Sequence, residues 1–309
     1  MRSLSLQTRG PHPAASLLLC IIVLVFALLL TIPTGAAAQV EGPGRLEVGD
    51  TLWEVRLRQG ETYVGRVVEV AGDTITLETS NATRIEFTRA QVISAQPARG
   101  TLHGQVFWRE DPNATRLFFS PTGRSLPAKS GYFGVYELFI PFVAYGVTDR
   151  VTIAGGSPFY LAFTGDITPP LYLGPKLQVV RTDRLVASVG AMGVIVPEDD
   201  ETHHFGILYG VGTWGSPDYA LSAGAGWGYV GDEISGSPVI MLGGETRLGR
   251  FTKVLTENLF VPGEPGAILS AGVRFFGDHL AADAGLATLV GDDDTFWLPV
   301  VNFVYNFGP

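Results

Sequence analysis

Cysteine is almost missing: the only one among 309 residues is Cys20, inside an apolar stretch near the start. With that stretch removed, no disulfide framework, cysteine nucleophile or thiolate metal site is available. Basic residues are scarce too. Lys and Arg number 21 against 30 Asp and Glu, a net charge of −9 that becomes −11 if Arg2 and Arg9 leave with the first segment. Such a balance argues against nucleic acid as a partner. No uninterrupted apolar run near ~20 residues follows Ala38, which excludes a bundle of membrane-spanning helices. Histidine beyond that point is limited to His103, His203, His204 and His279, and no G-x-S-x-G elbow occurs. Nucleophilic chemistry needs a base beside a hydroxyl and a third group orienting the base, and no spacing here announces one. The expectation is therefore no enzyme and no cofactor.

What is present begins with an export signal. Residues 1–13 carry Arg2 and Arg9 without an acid, 14–32 are apolar, and Pro33-Thr34-Gly35 break the helix before Ala36-Ala37-Ala38. That pattern predicts a signal peptide over 1–38 with cleavage after Ala38. An uncleaved anchor is the alternative, and the helix breaker and small-residue triplet favour the signal. A linker over 39–50 follows.

Residues 51–96 alternate apolar and polar over 51–58, 63–70, 74–79, 84–87 and 92–95, with turns at Gln59-Gly60 and Gly72-Asp73. Alternation with period two bounded by turn residues predicts short strands. The words Arg56-Leu57-Arg58-Gln59-Gly60, Gly65-Arg66-Val67-Val68 and Gly72-Asp73-Thr74-Ile75-Thr76-Leu77 resemble small SH3-like or Sm-like barrels. The resemblance implies a compact β domain and nothing of its role; an interaction or spacer module in the periplasm is expected, with a periplasmic protein as its candidate partner. A Pro/Gly-punctuated linker is expected over 97–116.

From Leu117 onward one pattern recurs, and Tyr219–Val230 shows it most plainly. Tyr219, Leu221, Ala223, Ala225, Trp227 and Tyr229 share one face of a strand, and Ala220, Ser222, Gly224, Gly226 and Gly228 the other. An apolar face ending in aromatics, backed by a small polar-tolerant face, suits a strand with hydrocarbon outside and a lumen inside. Twelve strands are predicted: 117–122, 132–145, 151–158, 171–181, 185–196, 204–214, 219–230, 239–248, 253–261, 267–276, 279–290 and 296–307. Their connections alternate between short turns (146–150, 182–184, 215–218, 249–252, 277–278) and usually longer loops. That is the outer-membrane arrangement of periplasmic turns against external loops, and it places both ends of the domain in the periplasm. A soluble secreted β-sandwich is the alternative.

The last strand puts Val301, Phe303, Tyr305 and Phe307 on one face. It resembles the aromatic C-terminal strand of outer-membrane barrels, and departs from it in the Gly308-Pro309 that follows. Residues 117–309 as a whole resemble an uncharacterised bacterial outer-membrane β-barrel protein. The resemblance implies an all-β antiparallel transmembrane barrel in the outer membrane of a Gram-negative-type bacterium, with its lipids and the barrel-assembly machinery as partners. It brings no functional residues.

With large apolar residues facing lipid, the lumen candidates are Glu137, Lys176, Gln178, Glu245, Arg247, Arg274, Asp283 and Asn302, joined by Ser188 and Ser270. Charges of both signs in so narrow a barrel predict pairing, and a lumen packed shut by salt bridges rather than a selective path. Arg274 and Asp283 are expected as diagonal neighbours across the Gly277-Asp278 turn. Membrane girdle candidates are Trp214, Tyr219, Trp227 and Tyr229, then Trp297, Phe303, Tyr305 and Phe307. Glu198, Asp199, Asp200, His203 and His204 are weak metal candidates, more simply read as a solvated acidic loop, as are Asp292-Asp293-Asp294. The function expected is a scaffold or a narrow passive pore for small polar solutes carrying a periplasmic interaction module. The runner-up is a membrane-embedded lipid-modifying enzyme with His203, His204 or His279 at its rim.

Overall fold

The computed structural model describes residues 46–164, 168–197, 202–261, 266–290 and 296–308. The expected signal over 1–38 and the acidic runs at 198–201 and 292–294 lie outside them. No helix of the described residues is long and apolar enough to cross a membrane, which does not bear on crossing by strands. The chain divides into two compact units, one ending at Glu110 and one of Asp111–Pro309.

The first unit is a five-stranded antiparallel sheet in the order β4-β3-β2-β1-β5. Its strands are β1 (Leu52–Leu57), β2 (Thr62–Ala71), β3 (Thr74–Thr79), β4 (Arg84–Thr88) and β5 (Val92–Pro97). Every second residue turns inward, so Val55, Val67, Ile75, Leu77 and Phe87 close one apolar core with Leu46 and Val92. Bulges between Arg56 and Leu57 and between Val67 and Glu69 bend the sheet over that core. The Gly72-Asp73 turn needs Gly72 at φ +60°, a left-handed conformation that costs glycine little. The span expected as a linker over 97–116 contains regular structure. It holds a hairpin of β6 (Gly100–His103) and β7 (Val106–Arg109), and from Asp111 the chain belongs to the second unit.

The second unit is a closed antiparallel barrel of twelve strands among the described residues. In chain order these begin β8 (Gly131–Tyr136), β9 (Ile140–Gly146), β10 (Val151–Gly156), β11 (Leu171–Arg181), β12 (Leu185–Pro197) and β13 (Thr202–Gly215). They continue with β14 (Tyr219–Val230), β16 (Val239–Gly249), β17 (Thr252–Phe260), β18 (Ala267–Phe276), β19 (Leu280–Val290) and β20 (Phe296–Phe307). A two-residue strand β15 (Glu233–Ile234) folds back on the end of β14. Each strand pairs with its neighbour, and β20 closes the ring on β8 with Phe307 opposite Gly131 and Asn302 opposite Tyr136.

The number twelve was expected, but two of its members differ. The stretch 132–145 is two strands, not one: Glu137 and Leu138 adopt φ of +49° and +65° and turn the chain between β8 and β9. Glu-Leu-Phe holds none of the Gly, Asn, Asp or Pro that ordinarily mark such a turn, so the break was invisible in the residues. The stretch 117–122, expected as the first strand, is not in the wall. It lies inside the ring.

The strand polarity gives the barrel two ends. Gly131, Phe307 and the turns 147–150, 182–184, 216–218, 250–251 and 277–279 occupy the near end, and 137–139, 157–164, 168–170 and 231–238 belong to the far end. Five short turns thus gather where both ends of the barrel chain lie, and the three-residue connection 137–139 is a short turn at the other end.

Candidate functional site: a plugged lumen

The alternation that builds the wall also sorts it by polarity. On β14, Tyr219, Leu221 and Trp227 are exposed, while Ala220 and Ser222 are buried. On β11, Leu171, Leu173 and Leu177 are exposed, and Lys176 and Gln178 buried. The same holds on β19 and β20, where Asp283 and Asn302 face in and Leu286 and Phe303 face out. A charged group survives inside only where it is paired and hydrogen-bonded. Some of the partners are other wall residues, and the rest come from the segment 111–128, which runs through the lumen ahead of the first wall strand.

This plug is a hairpin-like loop. The Leu117 N–H donates to the Ser120 carbonyl at 2.9 Å, and the Thr122 N–H to the Thr115 carbonyl at 3.0 Å. At its base the Asn113 N–H donates to the Asp111 carboxylate at 2.9 Å, which folds the entry into a turn. Leu117 and Phe118 are fully buried and pack with Val211, Met241, Leu255 and Val300 of the wall. The glycine at 243 leaves room for Leu117; any Cβ there would collide with the leucine side chain. Leu126 fills the near end among Tyr132, Phe142, Phe276 and Val304.

Around these apolar plates runs an unbroken chain of seven charged side chains of alternating sign. Arg116 reaches Asp283 at 2.7 Å, Asp283 reaches Arg274 at 2.6 Å, and Arg274 reaches Asp111 at 3.1 Å. Asp111 lies 3.5 Å from Lys253, Lys253 lies 3.0 Å from Glu245, and Glu245 pairs with Arg124. Three of the seven, Asp111, Arg116 and Arg124, belong to the plug. Alternation is what a low-dielectric interior requires, since each charge then sits between opposites. Arg116 also lies 5.5 Å from the Tyr136 ring and 5.9 Å from that of Phe142, an added cation–π attraction.

The rest of the wall holds the plug by its backbone. Arg274 donates to the carbonyls of Asn113, Arg116 and Leu117 at 2.9, 3.2 and 2.6 Å. Lys176 donates to those of Thr115, Thr122 and Arg124 at 3.2, 3.2 and 2.7 Å. Glu257 accepts from the Phe119 and Ser120 N–H groups and, at 2.8 Å, from the Ser120 hydroxyl. Gly123 is clamped by three strands: Gln178 and Ser188 donate to its carbonyl at 3.1 and 2.8 Å, and its N–H donates to the Thr213 hydroxyl at 2.9 Å. A side chain at 123 would collide with the Val186 carbonyl.

Of the lumen candidates read from the sequence, Lys176, Gln178, Glu245, Arg274, Asp283 and Asn302 converge on the plug, with Ser188 beside them. Arg274 and Asp283 are not diagonal neighbours; they stand directly opposite in the β18–β19 register. Glu137 is not on the wall but in the β8–β9 turn, where its N–H donates to the Asn302 side chain at 3.2 Å. Arg247 pairs with Asp218 at 3.4 Å and lies 5.2 Å from the Phe276 ring. Ser270 stays in the wall, donating to the Glu257 carbonyl at 2.5 Å. Sequence reasoning missed Lys253, Glu257, Asp111, Arg116 and Arg124. The first two have the inward parity of β17, alternating with Thr252, Val254 and Thr256, and that parity was readable. The plug residues carry no periodic mark at all.

The aromatic candidates fall outward in two bands. Trp214, Tyr219, Tyr305 and Phe307 ring the near end, and Trp227, Tyr229 and Trp297 the far end, with Phe303 between. From Tyr219 to Trp227 the strand rises about 26 Å at ~3.3 Å per residue, about 20 Å along the axis at a ~40° tilt. Among the weak metal candidates, Glu198, Asp199 and Asp200 lie outside the described residues, and His203 and His204 sit on β13 opposite Val196 and Ile195. Among the described residues no cluster of three or more His, Cys, Asp or Glu is placed to hold a metal ion.

No family model and no curated protein matches the chain. Among solved structures it is similar to a loop-deletion variant of OmpT, an outer membrane protein of Vibrio cholerae, at 12% identity and TM-score 0.35, covering 83% of this chain and 96% of that one. It is also similar to the CymD monoaromatic hydrocarbon channel, at 10% identity and TM-score 0.34 over 84% and 87% of the chains. The N-terminal β-barrel domain of Pseudomonas aeruginosa OprF aligns at 12% identity and TM-score 0.18, over 58% of this chain and 98% of that domain. Likenesses this distant carry no argument, and the fold stands on the strand pairing of the chain itself.

Proposed function

We propose that the chain is an outer-membrane barrel of the scaffold kind, closed across its lumen, that anchors the unit of residues 51–96 in the periplasm. The observation that carries the proposal is the seven-charge chain. Three plug residues complete the charge pairing of the wall, so the lumen is filled by the protein's own backbone and side chains rather than left as a path for solutes. The membrane setting is supported by the outward face, where Leu173, Leu221 and Phe275 are more than half exposed and the aromatics gather at both ends. In this reading the five-stranded sheet of 51–96 serves as an SH3-like interaction module for a periplasmic protein. The narrow passive pore is disfavoured by the plug. A lipid-modifying enzyme finds little support at His279, whose ring nitrogen contacts the Asn306 carbonyl at 3.1 Å.

Planar-bilayer conductance, on protein whose heat-modifiable gel mobility shows a folded barrel, tests the closure. Silent bilayers are expected for the natural chain. Gly123→Val, which forces the plug off β11, β12 and β13, is expected to cost about 1–3 kcal/mol by overpacking and to admit intermittent conductance. Steady conductance from the natural chain would overturn the scaffold reading in favour of a pore.

A further inference from the structure

The outer surface of the barrel is not uniform. A groove of about 680 Å³ lies on it across β8, β18, β19 and β20, within the ~300–1,000 Å³ of small-molecule sites. Register explains it. Ala282 of β19 stands between Phe275 of β18 and Phe303 of β20, and these two rings are 53% and 51% exposed, so both stand out from the wall. The outward alanine at 282, set between two standing rings, makes a furrow that continues across β20 to Phe133 and Val135 of β8. Its wall is braced before anything binds, because the Tyr305 ring packs at 5.4 Å from Phe133 and 5.8 Å from His279.

The furrow opens at the near end of the barrel beside Phe251, which lines the groove and carries the Arg250 guanidinium 5.0 Å above its ring. Arg150, Arg181, Arg184 and Arg250 lie in or beside near-end turns, which also hold Asp149, Asp183, Asp218 and Asp278, whereas the described far-end connections 137–139, 157–164, 168–170 and 231–238 contain no Lys or Arg. A preformed apolar slot with a fixed cation at its mouth matches an amphiphile with one anionic head.

We propose that this furrow is a binding site for one anionic phospholipid, its acyl chain lying over Ala282 between Phe275 and Phe303 and its phosphate held at Arg250. The proposal rests on the membrane reading above, and the two can fail separately. The full chain is reconstituted into nanodiscs holding phosphatidylglycerol and phosphatidylcholine with identical acyl chains, then released into detergent. Native mass spectrometry counts the lipid each barrel retains. One retained lipid is expected, with phosphatidylglycerol favoured about tenfold, as one charge-assisted contact provides. Ala282→Leu, which fills the furrow, is expected to lose both lipids. Arg250→Gln is expected to keep a lipid and lose the preference. Heat-modifiable mobility confirms that each variant is folded. Equal retention of both lipids by the natural chain, or unchanged retention after Ala282→Leu in a folded barrel, overturns the site and leaves the membrane reading intact. A chain that stays in the soluble fraction overturns both.

Discussion

Residues 51–96 and the barrel are built from the same alternating strands, yet they use the alternation in opposite senses. In the first unit Val55, Val67, Ile75 and Leu77 face inward and Arg56, Arg66 and Glu78 lie outside the core. In the barrel Lys176, Glu245, Lys253 and Arg274 face inward and Leu173, Leu221 and Phe303 outward. Period two sets only which residues share a face. Which face is interior depends on the surroundings: water favours an apolar inside, and hydrocarbon with a polypeptide-filled lumen favours the reverse. The difference teaches that a buried charge is not an anomaly in this chain. It is the core of its larger half.

The contrast can be tested first by deleting a charge from that core. Arg274→Ala leaves Asp111 and Asp283 buried without their shared cation, and is expected to destabilise the barrel by about 3–5 kcal/mol. Urea titration of the heat-modifiable band measures it, and a loss below 1 kcal/mol, about that of a surface pair, would mean the charge chain does not hold the plug. Next in size is a charge added to the outward face. Ala223 lies midway between Tyr219 and Trp227, and Ala223→Arg is expected to cost about 2–4 kcal/mol in a bilayer. The same variant should be far milder in a soluble sheet, so an equal and small cost in vesicles and in detergent would erase the contrast. The smallest effect is expected on the polar outside of the first unit. Arg84→Ala removes a pair with Glu78 at 3.3 Å that is 68% exposed on the arginine side, and is expected to shift stability by no more than about 0.5 kcal/mol. Thermal unfolding followed by circular dichroism should leave the transition of that unit in place.

The wall was largely legible in the residues, because period two over stretches such as Tyr219–Val230 has one structural solution. Expected and observed bounds for β3 coincide at 74–79, and those for β14 at 219–230. Lys176, Gln178, Asp283 and Asn302 could be assigned inward from their apolar neighbours alone. Two things were hidden. The β8–β9 turn is made by Glu137 and Leu138 in conformations their residue types rarely adopt, so composition carried no trace of it. The plug was hidden because a loop held by its backbone needs no pattern in its side chains: Lys176, Gln178 and Ser188 grip carbonyl groups, which every residue possesses. Leu117-Phe118-Phe119 then reads as an aromatic strand, when Leu117 and Phe118 form an apolar tip inserted among Val211, Met241 and Leu255.

The pairing of β8 with β20 has a consequence for the order of assembly. Gly131 and Phe307 lie near opposite ends of the barrel chain, so ring closure joins distant segments and carries a large loop-closure entropy. The plug precedes β8 in the chain and is therefore available throughout. Arg274 and Asp283 are neighbours on a hairpin, a local unit that can gather Asp111 and Arg116 while the sheet is still open. The segment that closes the finished lumen would thus act earlier as the mandrel on which the sheet is curled, with the final seam sealed around a passenger already in its seat.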